Sequence, residues 1–236
     1  WKAIGIHLPG GFAEYVKVPE FLLHKVPKTL SFEEAAFAEP IACCLHGIRR
    51  LEISPGDKVA VFGLGPIGLI HLQLAKMSGA SLVIGIDLIE KKLKIAENLG
   101  ADYTINASLK DPVKEIMNLT KRRGVDKVIE ATGSPRVLEQ TLKVADYCGK
   151  ILVFGVAPPE ARVSIAPYII YRKEITIIGS FTNPFTTEDA VKLISSGVVK
   201  VKPLISHTIG LEDIVEYFNR IIKRDKEIIK VLVKPK

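Results

Sequence analysis

Three glycines and an acid carry the clearest chemical spacing in this sequence. Gly63, Gly65 and Gly68 stand at the G-x-G-x-x-G interval, and Asp87 follows nineteen residues after Gly68. Glycines so spaced allow a tight turn, close backbone approach to a pyrophosphate, and close packing of a helix on a strand. Asp87 closes the next apolar run, where a carboxylate can accept hydrogen bonds from the hydroxyls of an adenosine ribose. The plainer alternative is a βα turn that holds no ligand. The flanking pattern argues against it.

That pattern is strand, turn, helix, strand. Val59 to Phe62 is an apolar run too short for a helix, as in a strand covered on both faces. A helix from Pro66 to about Ser78 aims its N-terminal N–H groups at the turn, with Pro66 and Ile67 in its first turn. Leu82 to Ile86 is the second strand. A 2′-phosphate near Asp87 would be repelled by about 4 kcal/mol at 4 Å and an effective dielectric of 20, which favours NAD over NADP. Lys92, one helical turn on, could hold a ribose hydroxyl, or it is a solvated lysine in the run Glu90-Lys91-Lys92.

Further strands and helices alternate along the chain. Strands are predicted at Asp102 to Ile105, Lys127 to Glu130, Ile151 to Phe154 and Ile175 to Ile178. Helices are predicted at Ile89 to Leu99, Pro112 to Leu119 and Ser134 to Ala145. Six such strands predict an α/β fold with a doubly wound parallel sheet of order 3-2-1-4-5-6. Ligands on such sheets sit at the carboxyl ends of the strands. This makes Ala131, Thr132, Gly133, Phe154, Gly155, Val156, Ser180 and Phe181 candidates beside the glycine turn. Gly133 and Gly155 would let backbone approach a flat ring, while Thr132 and Ser180 offer hydroxyls.

Before this unit, residues 1 to 30 carry short apolar runs broken by Pro9, Pro19 and Pro27, the signals of a small β-rich piece. Ser31 and Glu34 have the spacing of a capping box. Glu39-Pro40 opens a helix that runs to about Leu51. Glu39 is the candidate catalytic or metal-ligating acid, although an acid at a helix start is most often a cap. Cys43, Cys44 and His46 lie near it, but adjacent cysteines on a helix point apart and are poorly placed to share a metal. After Gly179, helices are predicted at Thr187 to Ser196 and Leu211 to Lys223, and a strand at Ile228 to Val233.

The bulk composition excludes several classes. The 236 residues are 47% hydrophobic and 25% charged, as in an ordinary globular protein. No apolar run is long enough to span a bilayer and no signal peptide heads the chain, so no membrane is expected and the cytoplasm is the default location. The net charge of +7 comes from lysines scattered among glutamates without interleaved aromatics, which argues against nucleic acid. Three cysteines make neither a disulfide framework nor a zinc cage. Glutamine occurs only at Gln73 and Gln140, a composition compatible with a thermophile source. The chain opens on Trp1 and reads from there like the middle of a longer protein, so a fragment is expected.

The segments FEEAAFAEPIACCLHGI, GLGPIGLIHLQLAK, ADYTIN, VIEATGSP, YRKEITIIGSF and VKPLISHTIGLEDI together resemble the zinc-dependent medium-chain alcohol dehydrogenases. The nearest likeness is to the polyol branch, the sorbitol or L-iditol 2-dehydrogenase type. The resemblance implies a Rossmann NAD-binding domain at residues 42–180. It also implies remnants of a β-rich, GroES-like catalytic domain: 1–41 as its end and 181–236 as a return segment. It implies pyrophosphate at Gly63, Gly65 and Gly68, the adenosine ribose at Asp87 and Lys92, and nicotinamide along 131–133, 154–156 and 180–182.

By the same resemblance Glu39 is the acid beside the catalytic zinc, and the other first ligands belong upstream of residue 1. The implied activity is hydride transfer between NAD and a secondary alcohol or polyol in a homodimer or homotetramer, with edge pairing of the strand near Ile175 to Ile178. The chain by itself is expected to bind NAD without oxidising alcohols. Thr182 stands where sorbitol dehydrogenases often carry arginine, which points away from sorbitol itself. Two other readings stand beside this one: a zinc-free, NADPH-using quinone reductase relative, and a dinucleotide-binding module without catalysis.

Overall fold

The computed structural model describes residues 2–235; Trp1, which prompts the fragment reading, lies outside them, as does Lys236. Residues 2–31 contain an isolated bridge between Ile4 and Leu8 and a 3-10 turn at Glu20–Leu22, and no strand. This corrects the β-rich expectation for 1–30. β-branched and aromatic runs become strands only when a partner strand covers them, and here Ile6, Phe12, Tyr15 and Phe21 are exposed.

The chain then enters α1 (Phe32–Ala35), whose start is the predicted capping box. The Ser31 side chain accepts from the Glu34 N–H at 3.2 Å, and the Glu34 carboxylate accepts from the Ser31 N–H at 3.3 Å. α2 (Ala38–Leu51) follows and buries Ile41, Cys44, Leu45 and Ile48 on one side.

The main body alternates β1 (Lys58–Phe62), α3 (Pro66–Met77), β2 (Leu82–Asp87), α4 (Glu90–Asn98), β3 (Tyr103–Asn106), α5 (Pro112–Leu119), β4 (Val125–Glu130), α6 (Pro135–Val144), β5 (Ala145–Val153), α7 (Pro167–Lys173) and β6 (Thr176–Gly179). All six strands are parallel, in the order β3-β2-β1-β4-β5-β6. Strand alternation divides β1 between two cores. Val59 and Val61 join α2 and α3 on one face, while Ala60 and Phe62 join Ile116 of α5 and Leu142 of α6 on the other.

Two differences from the sequence pattern have local causes. β5 begins at Ala145, directly after α6, instead of at Ile151; its early part carries Cys148 at φ 56 and a register shift that hide it from periodicity. α7 follows the irregular stretch 157–166, which contains Pro158 and Pro159, and has no fully buried residue, so no apolar stripe announces it.

Beyond β6, α8 (Thr187–Ser195) packs Ala190 and Ile194 into the core shared with α2 and α3. Then come β7 (Ile205–Ile209), α9 (Ile214–Ile222) and β8 (Lys230–Val233). β7 and β8 form a separate parallel pair, Ile209 opposite Val233. β7 was not predicted, and the predicted helix from Leu211 begins with a 3-10 turn at Leu211–Asp213. No described helix is long and apolar enough to cross a membrane.

One side chain clamps α3 to the segment before β7. Gln73 is 6% exposed, and its carboxamide accepts the Lys200 N–H at 2.8 Å and donates to the Lys200 carbonyl at 3.1 Å. Gln73→Leu leaves both peptide groups without these partners, and the expected cost is about 2 kcal/mol, read from urea unfolding midpoints.

Candidate functional site

The glycine turn is built by contact distances that admit no side chain. A Cβ on Gly68 would lie 1.7 Å from the Gly63 carbonyl oxygen, so helix α3 sits directly on the turn. Gly63 adopts φ 90, and a Cβ there would meet the Thr132 methyl at 2.6 Å. Gly65 differs from both. Its backbone is in an ordinary conformation, φ −65 and ψ −178, and a Cβ on it would meet nothing within 4 Å. It also starts α3, whose N-terminus no side chain caps and whose first residue, Pro66, has no N–H. An uncapped helix start beside open space suits an anion. Ile67 turns inward and packs against the α2–α3 core.

Asp87 ties this turn to the next one. One carboxylate oxygen accepts the Leu64 N–H at 2.7 Å, and the other accepts the Leu88 and Ile89 N–H groups at 2.8 and 3.0 Å. The acid is therefore fixed in place without a ligand. Pro66, Asp87 and Lys92 line one wall of a cleft of about 860 Å³, and Tyr217, Arg224 and Lys230 line the other. That volume is in the range of small-molecule and cofactor clefts. Outside the cleft lining, Lys91 of α4 pairs with Glu227 of the segment between α9 and β8 at 2.5 Å. Arg224 and Lys230 lie far along the chain from the glycine motif, and no sequence spacing marks them as part of this cleft.

On the other side of the turn, the ends of β4, β5 and β6 form one rim. The Ala131 N–H donates to the Phe62 carbonyl at 2.9 Å, and the Ser180 N–H to the Val153 carbonyl at 3.3 Å. Gly133 and Gly155 interlock: a Cβ on Gly133 would lie 2.4 Å from the Val156 carbonyl oxygen, and one on Gly155 would lie 2.0 Å from the Gly133 nitrogen. Val156 and Phe181 expose their side chains on this rim. Phe154 turns its ring the other way, edge-on to His71 at 4.5 Å and against Gly47 of α2, so only its backbone is at the rim. The Thr132 hydroxyl, expected to face a ligand, donates to Glu130 and accepts the Ser134 N–H at 3.0 Å. The Ser180 hydroxyl is buried and has no partner among the described residues. Glu130 was not singled out by the sequence, because an acid ending an apolar run resembles any strand end.

Glu39 is exposed in the first turn of α2. Its carboxylate accepts a hydrogen bond from the Cys43 thiol at 3.2 Å. Burial, and then the bond to Glu39 and its charge, push the Cys43 thiol up to about 12. Complete burial likewise raises the Cys44 thiol well above its ordinary value. Burial and the neighbouring Arg50 and Arg49 lower His46. Zinc takes cysteine as thiolate, and these thiols resist ionisation. Among the described residues no group of three or more His, Cys, Asp or Glu side chains could hold a metal. The residues present do not fit a zinc ion by themselves.

A doubly wound parallel sheet with its glycine turn and acid at the carboxyl ends of β1 and β2 is the architecture of dinucleotide-binding α/β proteins. The family model described as zinc-binding dehydrogenase matches residues 66–196, more than half of the chain. The chain belongs to the zinc-binding dehydrogenase family, the zinc-type medium-chain alcohol dehydrogenases. It is 32% identical over 226 residues to the sorbitol dehydrogenase of Bacillus subtilis, covering 96% of this chain and 64% of that protein. Among solved structures, a protein of Sinorhizobium meliloti 1021 described as a zinc-binding dehydrogenase bound to NADP aligns with TM-score 0.92 and 37% identity, over 99% of this chain and 68% of that one. A protein of Escherichia coli CFT073 described as a short chain alcohol dehydrogenase, complexed with NADH, aligns with TM-score 0.91 and 27% identity, over 99% and 68%. The chain thus spans about two thirds of the length of these relatives.

Proposed function

We propose that this chain binds NAD across the carboxyl ends of the sheet and takes part in hydride transfer between NAD and a secondary alcohol or polyol. The observation that carries the reading is the unfilled space at Gly65, set between an uncapped helix start and a carboxylate already fixed by the Leu64 N–H. In this arrangement Gly63, Gly65, Pro66, Ile67 and Gly68 cradle the pyrophosphate. Asp87 accepts from the adenosine ribose and Lys92 donates to it. The backbone of 131–133 and 154–156, with Ser180 and Phe181, forms the surface for the nicotinamide ring. When bound, NAD supplies the hydride acceptor. The chain's own part is to orient the ring, hold the sugar and keep water from one face of the reaction.

The polyol class is supported by the sorbitol dehydrogenase relative. Glu39 is the residue this chain would bring near a zinc ion, but Glu39 and Cys43 do not form a metal site alone. The division we favour is a cofactor domain at 42–180 flanked by catalytic-domain parts at 1–41 and 181–236. Its first boundary falls inside α2, where the Thr186 hydroxyl donates to the Ala42 carbonyl at 2.8 Å. Pairing of copies through β6 agrees with that strand's place at the sheet edge and the exposure of Ile177.

NADP is the second reading, favoured by the relative solved with it and by Arg224 and Lys226 in the far wall of the cleft. Asp87 opposes it by charge. Titration of the chain with NADH and NADPH, followed by nicotinamide fluorescence, is expected to show NADH binding at least about tenfold tighter, a difference of about 1.4 kcal/mol. Equal affinities, or none, would overturn the NAD reading.

A further inference from the structure

The turn after β4 directs its donors at a single carboxylate. Glu130 is 2% exposed, and one of its oxygens accepts the Thr132 N–H at 2.7 Å, the Thr132 hydroxyl, and the Gly133 N–H at 3.0 Å. Its other oxygen lies 3.3 Å from the same Gly133 nitrogen. The main chain of Glu130 does a parallel job for β5, its carbonyl accepting the Phe154 and Gly155 N–H groups at 3.0 and 2.8 Å. A Cβ on Gly155 would come within 2.7 Å of the second carboxylate oxygen, so the two turns close over Glu130 without a gap. One buried residue therefore sets the height and tilt of both backbone segments on the rim.

We propose that Glu130 is the positioning residue of the nicotinamide end of the site. It touches no ligand; it acts through the 131–133 and 154–156 backbone, and the proposal rests on the reading that this rim receives the nicotinamide ring. A short acceptor-only side chain is what the place requires. Three donors converge on one oxygen, and an unfilled position would leave the Thr132 and Gly133 N–H groups to be satisfied by rearranging the turn. At the adenosine end, Asp87 is held by its own hydrogen bonds from the Leu64, Leu88 and Ile89 N–H groups, none of them shared with Glu130.

This independence makes the proposal testable with two ligands. ADP-ribose carries the adenosine, pyrophosphate and second ribose of NADH and lacks the nicotinamide. Isothermal titration of both into the wild-type chain and Glu130→Ala is expected to show NADH weakened tenfold or more, with ADP-ribose within twofold of wild type. Glu130→Gln keeps an acceptor oxygen for Thr132 and Gly133 and should recover most of the NADH affinity. If Glu130→Ala does not fold, Thr132→Ser and Thr132→Val decide together: serine keeps the hydroxyl bonds to Glu130 and from the Ser134 N–H, and valine removes both, so NADH is expected to weaken about threefold in the valine variant alone, with ADP-ribose within twofold of wild type in each. Equal loss for both ligands, or no loss for either, would overturn the positioning role. Failure of the wild-type chain to bind either ligand would instead remove the dinucleotide reading beneath it.

Discussion

Gly68→Ala is expected to destabilise the chain by about 3 kcal/mol or more and to remove dinucleotide binding, while Gly65→Ala removes binding and leaves stability unchanged. The two glycines differ in what a methyl group would meet. At Gly68 the obstacle is backbone: the Gly63 carbonyl oxygen at 1.7 Å and its carbon at 2.8 Å, neither of which can swing away like a side chain. Relief requires α3 to lift from β1, and that separates the packed layer containing Val61, Leu69 and Leu72. At Gly65 there is no obstacle within 4 Å and φ is an ordinary −65, so alanine fits the unliganded chain. Its methyl would fill the space where a pyrophosphate must approach the backbone. Urea unfolding and NADH titration of both variants separate the effects. Full NADH affinity in Gly65→Ala would mean that no phosphate comes near this turn.

The second large effect is acid sensitivity centred on His71. This side chain is completely buried in α3, its two ring nitrogens have no partner among the described residues, and burial pushes its pKa down to about 3. The ring is therefore neutral in the folded chain. In the unfolded chain it would titrate near its ordinary value of 6.5. The unfolded state thus takes up the proton first. The stability this represents is fully present above about pH 6.5 and declines as the pH falls toward 3, by about 1.4 kcal/mol per unit. Near pH 4.5 the loss reaches roughly 2–3 kcal/mol. His71→Leu removes the titrating group and two unpaired polar atoms together. Its urea midpoint should fall less between about pH 7 and pH 4.5 than the wild-type midpoint, by an amount matching that loss. Identical acid dependence in the two proteins would show that His71 finds a proton-stabilising partner. The edge contact with Phe154 links this core position to the rim, so the leucine variant should also be titrated with NADH.

What the sequence made legible was whatever depends on neighbours in the chain. The capping box of Ser31 and Glu34, the glycine interval and the six-strand alternation are local patterns, and each recurs in the structure close to its expected place. Features set by distant partners were hidden. Residues 2–30 have strand-like composition without a strand to pair with, whereas β7 becomes a strand only because β8 arrives beside it. Glu130 becomes special through Thr132, Gly133 and Gly155 folding onto it, which no periodicity encodes. The far wall of the cleft, Tyr217, Arg224 and Lys230, comes from a helix, the turn after it and a strand, all more than a hundred residues beyond Asp87. Glu39 shows the opposite case. Its residue type and neighbours look chemically rich, yet the structure gives it a thiol partner and, among the described residues, no metal-binding cluster.

The placement of β1 at the centre of the sheet also sets a timetable for synthesis. β1, β2 and β3 are finished once residue 106 has left the ribosome, while β4, the other neighbour of β1, begins only at residue 125. During that interval a nascent chain holds Lys58–Phe62 with one bare edge, open to stray pairing. The half bearing the glycine turn and Asp87 is assembled early, and the half bearing Glu130 must dock onto it late.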